Sequence, residues 1–127
     1  MRHRIAEISL THTARYIVVA IYPFAVGVDL EHIAPKIARI APKFLSEKEG
    51  ENASDTLESL STYWCAKEAL YKLNGRHGLS FKSQIFVEDF TEDDVFLSAT
   101  IYPTQQTPST HTLQRFWIDD FCGVVAI

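Results

Sequence analysis

Asp29 and Glu31 stand two residues apart in Gly27-Val28-Asp29-Leu30-Glu31. Lys67, Glu68 and Lys72 fall within Trp64-Cys65-Ala66-Lys67-Glu68-Ala69-Leu70-Tyr71-Lys72. Three carboxylates and two lysines suit a magnesium ion bound together with a phosphate. Magnesium takes oxygen ligands, usually a few carboxylates, and completes its octahedron with substrate phosphates and water. Ammonium groups beside it neutralise phosphate charge. Each fragment also has an ordinary reading. Asp29 and Glu31 would be solvent-facing residues of an edge strand, and Glu68 with Lys72 an i,i+4 helical ion pair worth roughly 0.3–0.5 kcal/mol. The combination favours a site.

Thr11-His12-Thr13-Ala14-Arg15 adds a second candidate. Two hydroxyls, an imidazole and a guanidinium in one polar turn can hold a phosphate through hydrogen bonds and charge. Read alone, a histidine in a turn is more often structural or exposed. Gly75-Arg76-His77-Gly78 is either another phosphate-contacting loop or a plain helix stop, and the residues alone favour the stop.

These side chains need a scaffold. Ile5–Leu10 and Tyr16–Tyr22 read as strands, the second nearly continuous in apolar residues and hence expected to be buried on both faces. A third strand, Val26–Glu31, sends Val28 and Leu30 to one side and Asp29 and Glu31 to the other. Pro35 and Pro42 punctuate short helical turns carrying Lys36, Arg39 and Lys43, and Ser46 caps a further short helix. In the long helix, Ser54 is the expected cap, Asp55 favours the first turn and Asn74-Gly75 is the stop. Leu57, Leu60, Tyr63, Trp64, Leu70 and Tyr71 share one arc of it, with Lys67 in the middle and Glu68 at the edge. A charge there costs free energy unless it is paired or faces a cleft. Strands follow at Gln84–Val87, Val95–Tyr102, Leu113–Ile118 and Phe121–Ile127. The order predicts an α+β fold, an antiparallel sheet packed against one long helix and short helices.

At 127 residues and 46% hydrophobic the chain suits one domain spanning residues 1–127, with a real core. A net charge of −4 argues against a nucleic-acid binder. Two distant cysteines without ligand spacing fit a reducing compartment. The longest apolar runs are too short to span a bilayer. Met1-Arg2-His3-Arg4 is basic but lacks a following apolar stretch, so the expected location is cytoplasmic.

Taken in order, Gly27 to Glu31, Phe44 to Glu49 and Trp64 to Lys72 resemble the signature of 4′-phosphopantetheinyl transferases, G-[VI]-D-x-E followed by W-x-x-K-E-[AS]-x-x-K. Ile8 to Tyr16 is similar to the strand-turn of the larger, Sfp-like branch, and Gly75 to Ser80 to its turn after the helix. The resemblance implies a half-fold of that family. It also implies a reaction in which a serine of an apo acyl or peptidyl carrier protein attacks the β-phosphate of coenzyme A and 3′,5′-ADP leaves. Carried over by position, Asp29, Glu31 and Glu68 would hold Mg²⁺, and Glu68 would help remove the serine proton. Lys67 and Lys72 would contact pyrophosphate oxygens. His12 and Thr13, with Arg15, would bind a coenzyme A phosphate, and Glu49 matches a family acid of open role. The chain looks like a single half of the Sfp-like architecture at the size of the short, trimeric holo-acyl-carrier-protein synthases, which implies a homo-oligomer, dimer or trimer. The competing reading is a non-catalytic half-domain that binds coenzyme A or a carrier without turnover.

Overall fold

The computed structural model describes residues 6–127. The expected strand start at Ile5 and the basic Met1–Arg4 stretch lie outside the described residues. The elements are β1 (Glu7–His12), β2 (Ile17–Tyr22), β3 (Gly27–His32), α1 (Lys36–Phe44), α2 (Glu47–Asn52), α3 (Leu57–Leu73), β4 (Ile85–Val87), β5 (Phe96–Ile101), β6 (Ser109–Ile118) and β7 (Phe121–Ala126). They form the expected α+β fold. Five antiparallel strands in the order β3-β7-β6-β5-β4 make the main sheet, and β1 and β2 pair separately as a hairpin.

Local chemistry sets the helix ends. Ser46 caps α2 with a capping box: its hydroxyl accepts from Glu49 N–H and the Glu49 carboxylate accepts from Ser46 N–H. For α3 the cap is Thr56, not Ser54; Thr56 Oγ1 accepts from Ser59 N–H at 3.1 Å, while Ser54 Oγ accepts from Thr56 N–H one step earlier. Both residues bear hydroxyls, so the signal is real but displaced by two positions. Asn74 ends the helix and Gly75 takes φ +78°, a left-handed turn that glycine adopts without strain.

α3 is buried on nearly every side, against β3 and β7 of the sheet and against α1 and β4. Small residues Cys65, Ala66 and Ala69 let the strands approach. Gly27 is required by that approach, because a Cβ there would stand 1.8 Å from Ala69 O. The expectation that the second strand is buried on both faces does not hold. Ile17, Val19 and Ile21 are exposed, because the hairpin lays only its other face over β3. Among the described residues no helix is long and apolar enough to cross a membrane.

Candidate active site

β3 places Asp29 and Glu31 on the same side of the strand, two residues apart, beside Glu68 and Lys72 of α3. Asp29 is 4% exposed, which excludes the solvent-facing reading. Its Oδ1 accepts from Lys72 Nζ at 3.3 Å and from Thr11 Oγ1 at 3.4 Å. Its Oδ2 is buried with no hydrogen-bond donor, a costly state for a carboxylate oxygen. Lys72 also donates to Val28 O at 2.9 Å and Leu10 O at 3.4 Å, so its ion-pair partner is Asp29 and not its helical neighbour Glu68.

The electrostatics are those of acids short of positive charge. Burial pushes the Glu31 carboxyl up to about 9, helped by the hydrogen bond it would share with Asp29 and by the charges of Asp29 and Glu68, while a bond with Trp64 pulls the other way. Glu68 is also raised, first by burial and then by Asp29, with Lys72 and Arg76 opposing. Like charges crowded in a partly buried cleft favour whatever supplies a counter-charge, a proton or a cation. An all-carboxylate donor set suits a hard divalent ion such as Mg²⁺. No three His, Cys, Asp or Glu side chains among the described residues form a ready-made cation cage. The fit therefore rests on the orphaned Asp29 Oδ2 and the raised Glu31 carboxyl. A cavity of about 180 Å³ opens beside Glu31, lined by His32, Lys36, Ile40, Ser61 and Trp64. Wider recesses of about 530 and 670 Å³ lie around Ser46, Glu47 and Lys82, away from these acids; of Asp29, Glu31, Glu68 and Lys72, Glu31 alone lines the smaller one.

Lys67 lies elsewhere, which corrects its placement at the phosphate. Its ammonium is fully buried and donates to Glu49 Oε1 at 2.6 Å, Phe81 O at 2.6 Å and Phe44 O at 2.8 Å. Burial lowers its pKa and the Glu49 carboxylate counters that. Three donors with three acceptors leave nothing to offer a ligand. Glu49 gains a role: it joins the Ser46 cap, Lys67 and, through Oε2, Val87 N–H at 2.8 Å.

The turn residues divide. Thr11 and Ser9 point inward, Thr11 to Asp29 and Ser9 Oγ accepting from Val28 N–H at 3.0 Å. By strand alternation His12 projects from the opposite, outer face, exposed. Thr13 Oγ1 is occupied by the N–H groups of Arg15 and Tyr16 at 3.1 and 3.0 Å. Arg15 is exposed and pairs with Asp119 at 3.4 Å and Asp120 at 3.8 Å. Three site neighbours were not assigned their roles from sequence: Thr11 on Asp29, Trp64 against Glu31, and Arg76 near Glu68. The polar Ser9 and Thr11 alternating with Ile8 and Leu10 were the available signal for the first.

Residues 25–123 match the family model described as the 4′-phosphopantetheinyl transferase superfamily. The chain belongs to this superfamily. The matched region holds every acid of the cluster together with Lys72, and it begins after the β1–β2 hairpin. Among curated relatives, the 4′-phosphopantetheinyl transferase psf-1 of Bacillus pumilus is 33% identical over 90 residues, which make up 67% of this chain and 38% of that protein. The chain thus covers well under half the length of this phosphopantetheinyl transferase.

Proposed function

We propose that the chain transfers the 4′-phosphopantetheine arm of coenzyme A to a serine of an apo acyl or peptidyl carrier protein, with Mg²⁺, releasing 3′,5′-ADP. The supporting observation is that the partly buried Glu31 and Glu68 carboxyls each feel the charge of Asp29, whose own buried Oδ2 lacks a donor. The serine oxygen forms a bond to the β-phosphorus and the bond from that phosphorus to the bridging oxygen breaks, so the electron pair leaves with ADP. A divalent ion held by Asp29, Glu31 and Glu68 would offset the charge of the pyrophosphate. Lys72 is anchored by Val28 O and Asp29 at the same cluster and is the cation for the pyrophosphate oxygens. Glu68, half-buried and raised, takes the serine proton. His12 and Arg15 are exposed groups for a coenzyme phosphate, and Thr13 helps by fixing the turn between them.

The test is incubation with coenzyme A, Mg²⁺ and an apo carrier, scored by the mass gain of the arm. Wild type should modify the carrier, and Glu68→Ala should abolish transfer with the fold retained. A Glu68→Ala enzyme equal to wild type would show the site assignment to be wrong. A second reading is a half-domain that binds coenzyme A or a carrier without turnover; coenzyme A binding with no transfer by wild type would select it. Association with a second copy is proposed as part of the leading reading.

A further inference from the structure

Apart from His12 at its end, the outer face of the β1–β2 hairpin is used by none of this chemistry. Ile8, Leu10, Ile17, Val19 and Ile21 are 68, 48, 74, 51 and 68% exposed, and Phe24 just beyond is 72% exposed. The register makes the strand residues one surface, with Ile8 opposite Ile21 and Leu10 opposite Val19. Ser9 and Thr11, bonded to Val28 and Asp29, hold the hairpin with this face outward. The five strand side chains present on the order of 500 Å² of apolar area, as large as the patches that on a typical monomer are often functional.

We propose that a second copy of this chain occupies this face in a two-fold dimer. A two-fold contact sets one patch against itself. The five strand residues include no Lys, Arg, Asp or Glu, so self-contact buries no charge. Two such faces together bury about 1,000 Å², the size at which a specific interface begins. Binding to a lipid surface draws on basic residues around the apolar ones, and this chain carries a net charge of −4. β2 pairs with β1 alone among the described strands, so a specific contact would also cover apolar strand surface that is otherwise open to aggregation. His12 ends the same row opposite Ile17, so a phosphate on His12 would lie at the rim of the contact. The inference names the surface for the self-association above and rests on that reading for its role in transfer.

Sedimentation velocity of the full chain, from low micromolar to hundreds of micromolar, tests it. Wild type should run at twice the 14.4 kDa chain mass, and Val19→Glu or Ile21→Glu should run at the chain mass with an unchanged far-ultraviolet circular dichroism spectrum. Should a glutamate unfold the hairpin, Val19→Thr and Ile21→Thr keep the strand preference and should weaken the dimer at least tenfold. A monomeric wild type, a different stoichiometry, or a dimer indifferent to these substitutions overturns the inference. A monomer that pellets with phosphatidylcholine–phosphatidylglycerol vesicles gives the face to a lipid surface instead. The measurement contains no coenzyme A, so a monomer would leave the transferase reading standing. Failure of transfer by an intact dimer would do the reverse.

Discussion

Glu31 ties the site to pH. Its folded carboxyl titrates near 9 against 4.5 in an unfolded chain, so the native state keeps a proton that the unfolded state gives up. This contribution is fully present below about 4.5 and is lost as pH rises toward 9; Glu68 acts in the same direction. In chelator, the melting temperature should fall between pH 5 and pH 9, and Glu31→Gln should flatten that slope. Mg²⁺ competes with the proton for the same oxygens, so it should raise the melting temperature more at pH 8 than at pH 5.5. A profile unchanged by Glu31→Gln would refute the assignment. The two lysines should separate by transfer rate. Lys67→Met leaves Glu49 buried without its cation and should cost about 3–5 kcal/mol in urea unfolding. Lys72→Ala leaves the buried Asp29 without its cation and should also destabilise, and in addition it should remove most of the transfer rate of the folded chain.

The seating of β3 on α3 is where an element can fail. Gly27→Ala would drive a methyl into Ala69 O, pushing Asp29 and Glu31 away from Glu68. It should destabilise by about 1–3 kcal/mol and remove the melting shift produced by Mg²⁺. Gly50→Ala is the matched control: nothing lies within 4 Å of its added Cβ, it sits inside α2, and helix preference should raise stability by about 0.5–1 kcal/mol. Denaturant titrations of both variants decide the comparison. Much at this scale was readable in the chain. Ser46, the Asn74-Gly75 stop and the alternation in Gly27–Glu31 are local signals, and local chemistry fixes them. Helix periodicity puts Lys67 on the buried arc but does not show what it meets there, because its partner Glu49 comes from a different helix that no spacing rule connects to it.

For the molecule as a whole, sequence pattern carried the α+β class and the acid motifs, but not what each strand face meets. An apolar run such as Ile17–Tyr22 looks the same whether its second face is covered from within the chain, by another chain, or by nothing. The turn shows the same limit: strand alternation sends Thr11 and His12 to opposite faces, and only the hairpin's seat over β3 shows which one meets Asp29. One consequence follows from the Glu49–Lys67 pair. Neighbouring residues on a helix point about 100° apart, so Lys67 and Glu68 serve opposite ends of the same angular setting. Locked between Glu49, Phe44 O and Phe81 O, Lys67 works like a key in a keyway, fixing how far α3 is turned about its own axis. Damage to that lock would be felt as a weakened grip on a cation it never touches.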